Sequence, residues 1–421
     1  MPATTTGTTA VPTTATLPTA TLPTATLPTT VAPTPPVREV PWERARELAH
    51  RAPLPLAPRT VPLAEAAGLT TAADLCTPRA LPAFDTAAMD GYAVAGPGPW
   101  RVVGSVRAGG VREGMLAPGE AVEISTGAPV PAGTHAVLPL ELAADRAGRV
   151  SGPVPAPGEH VRRAGEDAPA GTRLAPAGTR AGPALLGLAA SCGHDALRVR
   201  PRPRVQVFVT GDELDRSGLP GPGRVRDALG PLLPSLVAAF GGEVVGVEHV
   251  PDRPAGLTAR AVSPATGPEV VVVTGSTSVG VTDQLREFLR DVRARMVVDT
   301  VACRPGHPQL LAGLADGRWV VGLPGNPYAA LVAAHTLLAP LIAGLSGRGL
   351  PALPRVAVSG DVRPAPGVAR LVPVAWEGAG ARVVGGHRAA FLRGAAVGDA
   401  LAVIGDGWLD GAPAPLLLLN G

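Results

Sequence analysis

From Arg204 onward the hydrophobic positions switch between two periods. Short apolar, β-branched runs predict strands at Val205–Val209 (VQVFV), Glu243–His249, Glu269–Val273, Met296–Ala302 and Trp319–Gly322. Between them, apolar residues at helical spacing predict helices at Pro231–Phe240, Ala255–Val262 and Asn326–Leu345, and in Asp283–Arg290 through Leu285, Phe288 and Leu289. The four valines 270–273 carry no polar alternation, which marks a strand covered on both faces, as in parallel sheets. Strands alternating with helices in this way predict an α/β domain with a mostly parallel sheet. The last helix has a readable start in Leu323-Pro-Gly-Asn-Pro-Tyr328, where Asn326 is placed to cap and Pro327 suits the first helical position.

The flanking regions follow other patterns. Trp42–His50 is amphipathic and predicts a short helix, residues 53–80 read as loops and short strands with a helical piece at Leu63–Ala67, and Gly182–Ser191 reads as a helix followed by a strand at Leu197–Val199. Between Trp100 and Val150 short apolar runs broken by Gly and Pro predict the strands of a small lobe. Gly158–Leu174 is turn-rich and charged, and from Arg355 strand patterns return. Residues 1–36 are almost entirely Thr, Pro and Ala, with TATLP three times from Thr14 to Pro28; such a segment lacks the apolar surface to offset ordering and is expected to be a disordered tail. The expected organisation is therefore multidomain: tail 1–36, an N-terminal domain 37–200 with an inserted β-lobe at about 82–165, an α/β domain 201–348 and a C-terminal β-domain 349–421.

Composition changes this picture in three ways. The 421 residues suffice for several cores, and with aromatics at 3% those cores must be built from Ala, Val and Leu. All 37 basic residues are arginine, which excludes any lysine-dependent mechanism, and a net charge of +3 gives no case for a nucleic-acid partner. Cys76, Cys192 and Cys303 form neither a metal spacing nor a disulfide framework, which suits a reducing, cytoplasmic setting. No secretory signal or membrane-spanning run is expected; the nearest apolar run, Leu331–Leu345, contains His335 and Pro340.

Candidate chemistry gathers where the predicted parallel strands end. Gly275–Thr282 is a loop of small and hydroxyl residues between a buried strand and a helix, ending at Asp283. It reads either as an anion-binding loop, with Asp283 able to hold a hard cation, or as an ordinary Gly/Ser turn. Thr210-Gly-Asp-Glu-Leu214 and Pro251-Asp252-Arg253 follow two further strands, so three acid-bearing corners share one sheet edge, the edge at which open α/β sheets bind ligands. Arg304-Pro-Gly-His-Pro308 is a rigid loop in which His307 is either a phosphate donor or a surface histidine. Asp90 before Gly91, Thr126 after a strand, and Glu166 in Arg162-Arg-Ala-Gly-Glu-Asp167 each have a structural reading as turn or surface residues beside a functional one.

Taken in order, seven stretches resemble the molybdopterin molybdenumtransferase family, which includes MoeA and the E-domain of gephyrin. They are PAFDTAAMDGYAV, STGAPVPAGTHAVLPLE, GEHVRRAGEDAPAG, PRVQVFVTGDEL, TGSTSVGVTD, RPGHP and GLPGNP, spread from about Val37 to about Gly347. The resemblance implies a homodimer that binds adenylylated molybdopterin and molybdate, cleaves the adenylate link with Mg²⁺ and inserts molybdenum. It admits other proteins of molybdenum-cofactor biosynthesis as partners, and neither nucleic acid nor membrane. It assigns Asp90, Thr126, Glu166, Asp252 and Asp283 to catalysis, Asp252 and Asp283 also to the metal. Ligand binding falls to Thr210, Asp212, Gly275, Ser276, Ser278, Gly280, Pro305, Gly306, His307 and Asn326.

The sequence departs from the family pattern at several of these places. Gly275-Ser276-Thr277-Ser278 stands for Gly-Gly-Val-Ser, Pro305-Gly-His307-Pro for Pro-Gly-Lys-Pro, and Asp252-Arg253 for paired aspartates. Arg226-Asp227-Ala228-Leu229 replaces Tyr-Asp-Ser-Asn, Thr134-His135 replaces Ala-Asp, and no clear Gly-Ser-Gly occurs near His387–Arg393. The alternative reading is thus a diverged, non-catalytic paralogue that binds molybdopterin or serves as a dimeric scaffold.

Overall fold

A computed structural model of the chain describes residues 39–251, 267–275 and 284–419. The tail, the predicted helix Ala255–Val262, and Asp252, Ser276, Ser278, Gly280 and Asp283 lie outside the described residues.

The α/β part is a six-stranded sheet in the spatial order Glu243–Val250, Arg204–Thr210, Val270–Thr274, Trp319–Leu323, Leu310–Gly313, Arg295–Val298. The first four strands are parallel; the last two join antiparallel. Val270–Thr274 is central and wholly buried, as its unbroken valines require. Its even-numbered valines face one core with helices Trp42–Arg51, Leu229–Phe240 and Pro327–Leu345. Its odd-numbered ones face a second core with helix Gln284–Asp291.

Helix Pro327–Leu345 has a mean hydropathy of 1.7, and its most apolar window is 94% buried, so it is a core helix. A π-helical turn at Ala334–Leu338 accommodates it to Pro340 one turn later. Trp42 reaches across to this turn, its Nε1–H donating to Thr336 Oγ1 at 3.0 Å. Pro327 occupies the first turn as its fixed φ favours, but the Asn326 side chain makes no capping bond, contrary to the sequence expectation.

The predicted strand Met296–Ala302 is two strands in two sheets. Arg295–Val298 is the last strand of the α/β sheet, whereas Val301–Arg304 pairs in parallel with Val40–Pro41 on one side and with Ala369–Arg370 on the other. The polar pair Asp299-Thr300 makes the crossing: Arg286 Nε donates to Asp299 at 2.7 Å, and the Val40 N–H donates to the Thr300 carbonyl at 2.9 Å.

Beyond residue 350, strands Ala369–Glu377, Gly380–Val383, Arg355–Ser359, Pro413–Leu418 and Ala400–Ile404 close into a barrel, the last pairing back with the first. Strands Leu310–Gly313 and Pro413–Leu418 were not anticipated from the sequence. The N-terminal lobe is a six-stranded sheet in the order Ala144–Arg146, Arg149–Ser151, Trp100–Val106, Glu120–Ile124, Gly91–Val94, Ala136–Pro139.

Candidate active site

Four parallel strands end level with one another. Thr210 pairs with Val250, Val209 with Thr274, and Thr274 with Leu323, so the loops after Thr210, Val250, Thr274 and Leu323 leave one rim. This brings together Thr210, Asp212, Gly275 and Asn326 from the sequence-predicted set. Thr210 Oγ1–H donates to the Thr274 carbonyl at 2.5 Å and ties two strand ends. The Asp212 carbonyl accepts from Arg224 at 2.6 Å, and the residue is exposed.

Gly275 turns away with φ +82°, and a Cβ there would stand 2.6 Å from Thr210 Oγ1 and 3.0 Å from the Thr210 carbonyl. A side chain there would collide with the end of the Thr210 strand, so only glycine lets the chain make this turn against it. Beside it Thr274 Oγ1 is buried and has no hydrogen-bond partner among the described residues, a polar atom left over at the rim.

Asp90 and Thr126, 36 positions apart, meet because strands Gly91–Val94 and Glu120–Ile124 pair antiparallel. One Asp90 oxygen accepts from the Thr126 N–H at 2.6 Å and from its hydroxyl at 2.9 Å. These bonds, the backbone one foremost, hold the Asp90 carboxyl below its ordinary pKa, so it is an anion at the surface of the lobe.

Glu166 lies elsewhere. It is exposed, accepts the Arg163 N–H at 2.8 Å and borders a cleft of about 610 Å³ with Leu81, Arg162 and Ser191.

The Pro305–Pro308 loop does not leave the parallel sheet, as the sequence suggested, because its preceding strand belongs to the other sheet. It is nevertheless seated on the first turns of helix Pro327–Ala333: a Cβ on Gly306 would lie 3.3 Å from the Ala329 carbonyl. His307 is exposed and donates from Nδ1 to the Val301 carbonyl at 3.0 Å, leaving Nε2 outward as an acceptor when the ring is neutral.

A pair not singled out from the sequence also stands at the rim. Asp227 Oδ1 accepts the N–H groups of Leu229 and Gly230, both at 2.9 Å, and Oδ2 meets His249 Nε2 at 2.8 Å. Burial pushes this carboxyl up, but the Gly230 N–H, His249 and the Leu229 N–H outweigh it and hold the pKa below the ordinary value. The local signal was an Asp two residues before a helix, the pattern of a side chain capping the first free N–H groups. The histidine partner comes only through sheet register. Asp227→Ala is expected to lower stability by about 2 kcal/mol, since it removes two charge-assisted bonds and strands His249. Urea unfolding checks this, with Asp227→Asn losing less.

Among the described residues no group of three or more His, Cys, Asp or Glu side chains is placed to hold a metal.

An α/β sheet whose parallel strands end at one rim, joined to a separate β-lobe and a C-terminal barrel, makes a multidomain α/β protein with its rim where such sheets bind ligands. Comparison with known proteins makes this specific. Residues 40–193 match the MoeA N-terminal region (domain I and II), and residues 206–344 match the probable molybdopterin binding domain. The chain is 35% identical over 300 residues to molybdopterin molybdenumtransferase 2 of Mycobacterium tuberculosis, covering 67% of this chain and 74% of that protein. It is 36% identical over 312 residues to the molybdopterin molybdenumtransferase of Synechococcus elongatus, covering 70% and 77%. A crystal structure of a MoeA protein from Pyrococcus horikosii superposes with a TM-score of 0.72 at 26% identity, over 91% of this chain and all of the other. The chain belongs to the molybdopterin molybdenumtransferase (MoeA) family of enzymes.

Proposed function

We propose that the rim binds adenylylated molybdopterin and molybdate, and that the enzyme releases AMP and inserts molybdenum into the dithiolene. The observation that carries this is the shared rim, where the turn at Gly275 packs on Thr210 and beside Thr274 Oγ1, which has no hydrogen-bond partner among the described residues. Such a rim suits a phosphate or oxyanion held by backbone N–H groups and hydroxyls. His307 Nε2, when protonated, adds a donor in place of the family's lysine. Carboxylates suit Mg²⁺, a hard cation taking oxygen ligands. Asp252 and Asp283 are the acids that would hold it, and it would offset phosphate charge there.

The enzyme works as a homodimer in which Asp90, Thr126 and Glu166 of one subunit serve the rim of the other. All three are exposed in the single subunit, which supports their availability to a second copy.

The test is AMP release from adenylylated molybdopterin by purified protein with Mg²⁺ and molybdate. Asp90→Ala and Asp252→Ala should each abolish release. Co-expression of the two variants should restore about a quarter of it, since half of randomly formed dimers are mixed and each mixed dimer has one intact site. No release by the native chain despite bound substrate would reject the enzyme. It would favour a binding paralogue, a reading supported by His307 and Arg253 standing where the family has lysine and aspartate. His307→Lys with Arg253→Asp would then create release.

A further inference from the structure

A cavity of about 270 Å³ lies away from the rim. Helix Leu229–Phe240 starts beside Asp227 at the rim and runs 12 residues, about 18 Å at 1.5 Å per residue. Its last residue, Phe240, is a wall of the cavity, which therefore sits toward the opposite end of the sheet. Ala343 from helix Ala339–Leu345 and Leu417 from the C-terminal strand form further apolar walls.

Three basic side chains break the apolar lining. Arg46 Nε, His335 Nε2 and Arg348 Nε are buried and find no hydrogen-bond partner among the described residues. Arg46 is 8% exposed and His335 7%. Arg46 stacks on Trp42 at 5.0 Å, and Arg348 donates one terminal N–H to the Phe240 carbonyl. Among the described residues no acid lines the cavity; Glu43, which acts on Arg46 from one turn upstream, is exposed. Arg180 adds positive charge beside Arg348. His335 also belongs to the π-helical turn, a local widening frequent at functional sites.

A buried cation such as Arg46, or a half-buried one such as Arg348, is costly without a counter-charge, and the described residues around this cavity supply none. Its remaining walls repel a small hydrated ion. The occupant that satisfies both is an anion with an apolar tail. At about 30 Å³ per water the space holds about nine waters, which sets the tail at about five carbons.

We propose that this cavity is a binding site for a small monocarboxylic acid. Its carboxylate engages Arg46 and Arg348, and its tail lies between Phe240, Ala343 and Leu417. Neutral His335 offers one further N–H, since burial and the Arg46 charge lower its pKa to about 4. This proposal stands apart from the reading of the rim.

The test is calorimetric titration of the full chain with sodium hexanoate, hexan-1-ol, hexylammonium and acetate. Saturable one-to-one binding of hexanoate is expected, with the other three weaker by about tenfold or more. Arg348→Met should weaken hexanoate by about tenfold, and Ala343→Phe, which fills the space and keeps both guanidinium groups, should abolish it. Equal affinity for hexanol or acetate, absence of saturable binding, or undiminished binding by a folded Ala343→Phe protein would each overturn the proposal. The native-protein ligand series decides the matter even where a variant does not fold.

Discussion

Gly91→Ala is expected to lower the stability of the protein by about 3 kcal/mol and to impair AMP release beyond the loss of folded protein. Gly91 opens the strand Gly91–Val94 and is paired on both sides, with Ile124 and with Pro139. A Cβ there would land on the Leu138 carbonyl oxygen, with the Leu138 carbonyl carbon at 3.0 Å and Pro139 Cα at 3.1 Å. These atoms are backbone in a buried strand, so they cannot swing aside as a side-chain tip would. The strands must separate, and Asp90 moves with them. Its 2.6 Å and 2.9 Å bonds to Thr126 are then broken or stretched. Urea unfolding followed by tryptophan fluorescence gives the first number. AMP release per folded molecule, at a temperature where the variant is fully folded, gives the second. A variant with native stability would show that the two strands can part freely there.

Acid is expected to destabilise the native protein by about 3 kcal/mol more than a His335→Leu variant between about pH 7 and about pH 4. His335 is buried, packs edge-on against Phe240 with ring centroids 5.0 Å apart, and has Arg46 as its charged neighbour. Desolvation first, and the Arg46 charge second, lower its pKa from 6.5 to about 4. In the unfolded chain the imidazole takes up its proton near pH 6.5, whereas in the folded chain it resists until near pH 4. Between those values the unfolded state binds more protons, so stability falls as pH falls. Above pH 6.5 both states are neutral and this group contributes no slope. The leucine variant lacks this imidazole and keeps the slope due to the other titrating groups, the carboxylates and His387 among them, which the difference between the two proteins removes. Unfolding free energies of both proteins across this pH range, compared as a difference, check the prediction.

Much of the fold is legible in local pattern because the elements carry their own signals. Val270–Thr274 is an unbroken buried run, and Gln284–Asp291 keeps Leu285, Phe288 and Leu289 on one face. What escaped has non-local causes. Met296–Ala302 looks like one strand, since only Asp299 and Thr300 interrupt it. That interruption becomes a change of sheet because Val40–Pro41, some 260 positions earlier, offers a parallel edge to Val301–Ala302. Leu310–Gly313 and Pro413–Leu418 are short apolar runs that lack alternation, and only their neighbours distinguish them from loops.

The site shows the same division. The small-residue loop that begins at Gly275 is legible as a turn after a buried strand, and its nearness to Thr210 follows from two strands ending together, whereas the contact that demands glycine there is visible only in the fold. The meeting of Asp227 with His249 depends on how helix Leu229–Phe240 returns its chain to the sheet edge, a matter of tertiary packing. His307 was placed with the wrong sheet for the reason just given, although its loop still reaches the helix that begins at the rim.

The crossing at Asp299-Thr300 also bears on how this polypeptide can be divided. Segment 206–344 reads as a self-contained module by sequence, yet it contains a strand, Val301–Arg304, whose two neighbours lie outside it, one at the start of the folded chain and one in the C-terminal barrel. Cut out alone, that module would present an orphan ribbon with both margins bare, a template for sticking to other chains. The gene is therefore hard to shuffle piecewise. Recombination that joins the middle of one relative to the ends of another must match the three-way seam of Val40–Pro41, Val301–Arg304 and Ala369–Arg370, or the hybrid will assemble with its seam open.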